Sequence, residues 1–249
     1  MVVVTGAASG IGAASARRLA RDGRAVVCCD VADEAGRGVA DDVGGRFVAL
    51  DVSDEAAWDR LVDELGRREE RVVGALLNAG VLTAAVPTDV LDVPWNRLER
   101  VRGVNLDGVL LGVRALAPII AGGGGGAIVA TASLAGLGPY EQDPMYAATK
   151  HAVVGFVRSA APQLAGRGVR LQAICPGGVD TGLLTPEQKR RILDEGRPIL
   201  DPAEVAEAVA ALLAADEAGL VRTIVAGRGA ERYEFRGVPG PRGPGSSPG

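Results

Sequence analysis

The sequence predicts an α/β fold, a doubly wound and mostly parallel seven-stranded sheet with helices on both faces. Three observations carry this expectation. Short apolar runs without polar alternation, such as Val2-Val3-Val4 and Val26-Val27-Cys28-Cys29, suit strands buried on both sides. They alternate with amphipathic helical patterns, so that successive strands run parallel through right-handed crossovers. The 249 residues are 47% apolar but only 3% aromatic, and such small residues let helices pack closely on a sheet.

In chain order, Val2–Thr5 reads as a strand and residues 11–22 as a helix. Residues 25–30 form a second strand, 33–43 a helix and 46–50 a third strand. Residues 54–70 carry Trp58, Leu61, Val62 and Leu65 on one side of a long helix, and 73–77 return to the sheet. A helical stretch from about 95 to 120, with room for a break near its start, precedes a strand at 127–131. Then come a helix at 146–165, a strand at 169–174, a helix at 202–214 and a strand at 220–225. One domain over 1–236 is expected, with a substrate lid at about 182–200. The Pro, Gly and Ser residues of 237–249 lack apolar anchors and are expected to be a disordered tail.

Composition excludes several functions. A net charge of −4, with no basic run longer than Lys189-Arg190-Arg191, does not suit a phosphate backbone. The single histidine, His151, and three cysteines, Cys28, Cys29 and Cys175, leave no metal ligand set, and the cysteines sit in apolar runs like core residues of a reducing compartment. The chain opens directly on a strand pattern, and no eighteen apolar residues run unbroken. A cytoplasmic location is the expectation.

The first turn reads Thr5-Gly6-Ala7-Ala8-Ser9-Gly10-Ile11-Gly12, between a strand and a helix. Glycines let the backbone approach a pyrophosphate, and the helix start offers free N–H groups and partial positive charge to it. Gly6, Ser9, Gly10, Ile11 and Gly12 are the candidate contacts. Asp30 ends the second strand, eighteen residues after Gly12. A carboxylate there accepts hydrogen bonds from both adenosine ribose hydroxyls and repels a 2′-phosphate, which favours NAD over NADP. Arg17 and Arg37 are the cations that could reverse that preference. Asp51, Val52, Asn78, Ala79 and Gly80 close the third and fourth strands, at the carboxyl ends where such sheets bind ligands.

Tyr146 and Lys150 stand four residues apart on a predicted helix, hence on one face. A neighbouring ammonium favours the phenolate, and so does a positively charged nicotinamide ring, so this pair could exchange a proton with an alcohol at neutral pH. Ser133, thirteen residues before Tyr146, is placed to polarise a substrate oxygen. Tyr140 has Pro144 rather than a lysine one turn on. His151 follows Lys150 directly and points about 100° away on the helix.

The Gly-x-x-x-Gly-x-Gly spacing, the ordered quartet Asn105, Ser133, Tyr146 and Lys150, and Pro176-Gly177 with Val179 and Thr181 resemble the short-chain dehydrogenase/reductase family over residues 2–226. The resemblance implies a Rossmann-type fold and hydride transfer between NAD(H) and a secondary alcohol or ketone. It implies that Asn105 helps hold a water linked to the lysine. It further implies that residues 176–181 meet the nicotinamide carboxamide and that Asp51 and Val52 meet adenine. The likeness extends to the NAD-dependent hydroxyprostaglandin dehydrogenase branch, through 133–136, 150–160 and 171–177. That branch carries Gln where this chain has Asp143. Asp143 and the adjacent Gln142 are therefore candidate substrate contacts, and the differing lid argues against a prostaglandin. The family usually forms homodimers or homotetramers. Two alternatives stay open: an NADPH-dependent ketone reductase of the 3-oxoacyl type, and a catalytically silent nucleotide-binding regulator.

Overall fold

The computed structural model describes residues 1–68, 71–84 and 89–236, so the expected tail at 237–249 and the end of the helix predicted at 54–70 lie outside them. The elements alternate as β1 (Val2–Thr5), α1 (Gly10–Arg21), β2 (Val26–Asp30), α2 (Asp33–Asp42), β3 (Arg46–Ala49), α3 (Glu55–Arg67) and β4 (Gly74–Leu77). The second half runs α4 (Trp95–Arg102), α5 (Gly108–Gly122), β5 (Gly126–Thr131), α6 (Pro144–Ala165), β6 (Val169–Pro176), α7 (Pro186–Asp194), α8 (Pro202–Ala214), β7 (Val221–Val225) and β8 (Gly229–Arg232).

The strands form one sheet in the order β3-β2-β1-β4-β5-β6-β7-β8. All pairings are parallel except β7 with β8. This corrects the expected seven strands to eight. The sequence reading missed β8 because Gly-Ala-Glu-Arg carries no apolar run. It is a largely exposed edge strand, reached through a turn in which Gly227 and Gly229 have φ of +79° and +71°. Such turns favour residues without a Cβ.

Alternate residues of each strand feed two cores. Val3 packs with Trp58 and Leu61 of α3, Leu116 of α5 and Val157 of α6 on one face. Val2 and Val4 pack with Leu19 of α1 and Val209 and Leu212 of α8 on the other. The three cysteines are free and buried in these layers. From Trp95 to Gly122 the chain is helical throughout and, by length and composition, apolar enough to cross a membrane. Val109, Val113, Leu116 and Ile120 of α5 are buried in the protein core, which accounts for that hydropathy. The predicted break is a π-helical turn at Gly103–Asp107 between α4 and α5, and it contains Asn105.

Chain order reverses between β1 and β4, and a crevice opens there at the carboxyl ends of the strands. The residues that follow these strand ends supply the site.

Candidate active site

A cavity of about 850 Å³ lies over the strand ends. It is lined at one end by Asp30, Val31, Asp51 and Val52, and further along by Asn78, Gly80, Ser133, Tyr146 and Lys150. Gly6, Ser9, Gly10, Ile11, Ala79, Pro176, Gly177, Val179 and Thr181 also line it. Of the cofactor positions named from sequence, Gly12 alone is not on that surface. It is buried in α1, where an added Cβ would stand 2.0 Å from the Gly6 carbonyl oxygen. Gly12 thus lets the helix seat against the turn, while Gly6 (φ +65°) and Gly10 (φ +52°) shape the turn itself.

This cradle fits a dinucleotide diphosphate. Ser9 caps α1 without a side-chain hydrogen bond, and no acidic residue occupies the first turn. The opening N–H groups of a helix have no intrahelical acceptor, so they remain available to an anion. Asp30 is fixed by its surroundings: one carboxylate oxygen accepts the Ala8 N–H at 2.9 Å and the other the Ala32 N–H at 3.0 Å. Arg17 is held by Asp42 at 2.6 Å. Arg37 is held by Asp33 and lies over the Phe47 ring. Both cations that could have attracted a 2′-phosphate are therefore engaged. Asp51 accepts from the Ser53 N–H and hydroxyl at 2.9 and 2.6 Å.

Asn78 ties three strands together. Its N–H donates to Thr5 Oγ1 at 2.9 Å, its side-chain amide donates to the Thr5 carbonyl at 3.3 Å, and its Oδ1 accepts from the Thr131 hydroxyl at 3.2 Å. Its side chain supports the crevice floor. Asn105 is fully buried, and its amide is consumed locally. Oδ1 accepts the Val81 N–H at 2.8 Å, and Nδ2 donates to the Val81 carbonyl and to Thr149 Oγ1 at 3.0 and 3.2 Å. The Asn105 side chain is thus an anchor for the loop after β4 and is not on the cavity surface. Gly80 in that loop leaves the space between Asn105 and Lys150: a Cβ there would lie 3.5 Å from Asn105 Oδ1 and 3.6 Å from Lys150 Nζ.

Ser133 and Tyr146 line the cavity together. Ser133 Oγ donates to the Pro176 carbonyl at 3.5 Å and accepts the Ala135 N–H at 3.1 Å. Lys150 Nζ donates to the Thr131 carbonyl at 2.7 Å and lies 5.6 Å from the centre of the Tyr146 ring. One of its donors is therefore spent on β5. Burial dominates both titrations. It pushes the Tyr146 phenol up to about 12, against the lowering effect of Ser133, and it pulls Lys150 down to about 8.

Of the two candidate substrate contacts, Gln142 lines the cavity and Asp143 does not. Asp143 is a buried helix cap. Its oxygens accept the Thr83 N–H at 2.8 Å, the Thr83 hydroxyl at 2.6 Å and the Tyr146 N–H at 2.9 Å. The Asp-Pro pair at 143–144 is an N-cap followed by a first-turn proline, a start signal that could have placed the helix two residues earlier than expected. Tyr140 lines the cavity beside Tyr146, their rings edge to face at 6.3 Å. His151 is exposed, its Nδ1 2.9 Å from the Ala147 carbonyl.

The segment expected as a lid, residues 182–200, contains α7, started by a Thr185–Gln188 capping box. Val179 pairs with Leu200 at its base. Leu183, Leu184, Ile192 and Arg197 of this segment line the cavity. Nothing periodic marks these residues as wall-forming, so the sequence reading did not single them out. Lys189 is paired with Asp180 at 2.6 Å and Arg191 with Glu195 at 3.0 Å.

Comparison with known proteins agrees with this architecture. A family model described as short chain dehydrogenase matches residues 1–191. The chain is 40% identical over 237 residues to cis-4-hydroxycyclohexanecarboxylate dehydrogenase of Sinomonas cyclohexanicum, covering 89% of this chain and 91% of that protein. It is 37% identical over 230 residues to meso-2,3-butanediol dehydrogenase of Serratia marcescens, covering 89% of each. A crystal structure of 3-ketoacyl-(acyl-carrier-protein) reductase from Brucella melitensis, complexed with NADH, matches with a TM-score of 0.84 at 30% identity. That match covers 91% of this chain and 97% of the other. These matches establish the family and not the hydroxyprostaglandin dehydrogenase branch. With its Rossmann-type sheet, its glycine cradle and these relatives, the chain belongs to the short-chain dehydrogenase/reductase family of nicotinamide-dependent oxidoreductases.

Proposed function

We propose that this protein is an NAD(H)-dependent dehydrogenase of small or cyclic secondary alcohols and their ketones, working through Ser133, Tyr146 and Lys150. The observation that carries the reading is that Ser133, Tyr146 and Lys150 line the same cavity as Asp30 and the glycine turn. The relatives acting by name on butanediol and hydroxycyclohexanecarboxylate support this substrate class.

The glycine cradle would hold the diphosphate and Asp30 the adenosine ribose. Residues 176–181 would hold the nicotinamide end. Bound there, the cofactor supplies the ring that accepts or returns hydride and, when oxidised, a positive charge. The chain's own residues handle the proton. Ser133 donates to or accepts from the substrate oxygen and fixes it beside Tyr146. Tyr146 gives its proton to a ketone oxygen or takes one from an alcohol. Lys150, held by Thr131, supplies the field beneath the ring and changes its own charge near pH 8.

Replacing Tyr146 with Phe tests the reading. Turnover of butanediol or cyclohexanol with NAD is expected to vanish, with NAD affinity nearly unchanged. Retained turnover would refute the role given to the phenol. A screen of secondary alcohols without NADH formation, despite tight NAD binding, would favour a silent regulator.

A further inference from the structure

We infer that the alcohol substrate carries a carboxylate, received by Arg197 with Tyr140 and Gln142 as its neutral neighbours. This rests on the dehydrogenase reading above and extends it to the far wall of the same cavity.

The lid and the loop after β5 enclose that wall with Leu134, Ala135, Leu183, Leu184 and Ile192. Among the lid residues that line the cavity, Arg197 is the charged one. A guanidinium beside an apolar wall presents a fork of donors that matches a carboxylate. Glu195 pairs with Arg197, but it also accepts from Arg191 Nε at 3.0 Å. One carboxylate is thus shared by two guanidinium groups, and the three side chains together keep a single positive charge.

The position also suits a ring-sized substrate. Tyr140 lines the same cavity as Arg197, its ring centre 6.3 Å from that of Tyr146. Burial and Asp143 raise the Tyr140 phenol, while Arg197 and Arg191 pull it the other way, so both arginines act on that phenol. Tyr140 OH is 3.4 Å from Gln142 Oε1. Tyr140 and Gln142 therefore offer polar atoms on the cavity wall beside Tyr146. The negative charge of Asp143 does not oppose this, because its oxygens face Thr83 and the start of α6 rather than the cavity.

Calorimetric titration of the NAD-loaded protein with cyclohexanecarboxylate and with neutral cyclohexanecarboxamide tests the inference without chemistry. The acid is expected to bind roughly tenfold tighter than the amide, as a charge-assisted pair implies. Arg197→Gln should erase that difference, Arg197→Lys should keep part of it, and Glu195→Gln should tighten the acid. An acid-to-amide ratio unchanged by Arg197→Gln, or no binding of either probe, would overturn the proposal. Cyclohexanol oxidation by NAD, measured alongside, judges the dehydrogenase reading separately. Oxidation with no acid preference sinks the carboxylate subsite alone. An acid preference lost in Arg197→Gln, without any oxidation, supports the subsite and sinks the dehydrogenase reading.

Discussion

The carboxylate of Asp143 accepts the backbone N–H of Tyr146 at 2.9 Å, so the residue that caps the helix also fixes the backbone of the residue whose phenol we propose to react. The same carboxylate takes both donors of Thr83, which locks the loop after β4 onto the start of α6. Asp143→Ala removes the cap and strands two buried donors. A loss of about 2–4 kcal/mol is expected in urea denaturation. Asp143→Asn keeps the bond to Tyr146 but removes a charge that helps hold the phenol high. Its alkaline limb in a pH–rate profile should therefore move to lower pH. An unmoved limb would mean that Asp143 acts only as a cap.

Lys150 is buried, and its amine is pulled from an ordinary value of 10.5 to about 8. An amine that is harder to protonate in the fold withholds stability as pH falls from 10.5 to about 8, and withholds a constant amount below that. The cost at pH 7 is about 3 kcal/mol. Lys150→Met should lose activity yet match or exceed the parent in thermal midpoint at pH 7, the advantage fading toward pH 10.5. The orphaned Thr131 carbonyl offsets about 1 kcal/mol of the gain. A midpoint well below the parent at pH 7 would contradict the burial argument.

Asp30 decides cofactor preference if its two backbone bonds hold it toward the ribose. Asp30→Ala should lower NAD affinity and raise the NADP-to-NAD affinity ratio by about tenfold, read by fluorescence titration. A ratio unchanged by the substitution would move the preference to another residue.

Gly12 faces backbone that cannot yield, with the Gly6 carbonyl oxygen 2.0 Å from an added Cβ. Gly12→Ala should cost about 3 kcal/mol of stability by overpacking. Nucleotide binding should fall with it, because the turn is pushed off the helix. Gly66, in α3, has nothing within 4 Å of an added Cβ. Gly66→Ala should instead stabilise by about 1 kcal/mol. Equal effects at the two positions would reject the packing role of Gly12.

Local sequence determined the frame. Strand and helix periodicities placed β1 to β7 and the helices other than α7 within a few residues, because apolar runs and amphipathic faces are short-range signals. The glycine turn, Asp30 and the Tyr146–Lys150 spacing were legible for the same reason, since each is fixed by one turn or one strand end. β8 escaped because a polar edge strand leaves no apolar trace. Only the tertiary structure decided what each group meets. It turned Asp143 inward as a cap and spent the Asn105 amide on the Val81 backbone. It also tied Lys150 to Thr131 and brought Arg197 from the lid to the cavity beside Tyr140. These outcomes depend on contacts between residues far apart in the chain and on burial, which sets the phenol and the amine on opposite sides of their ordinary values. Neither distance in space nor exclusion of water is written in the spacing of residues.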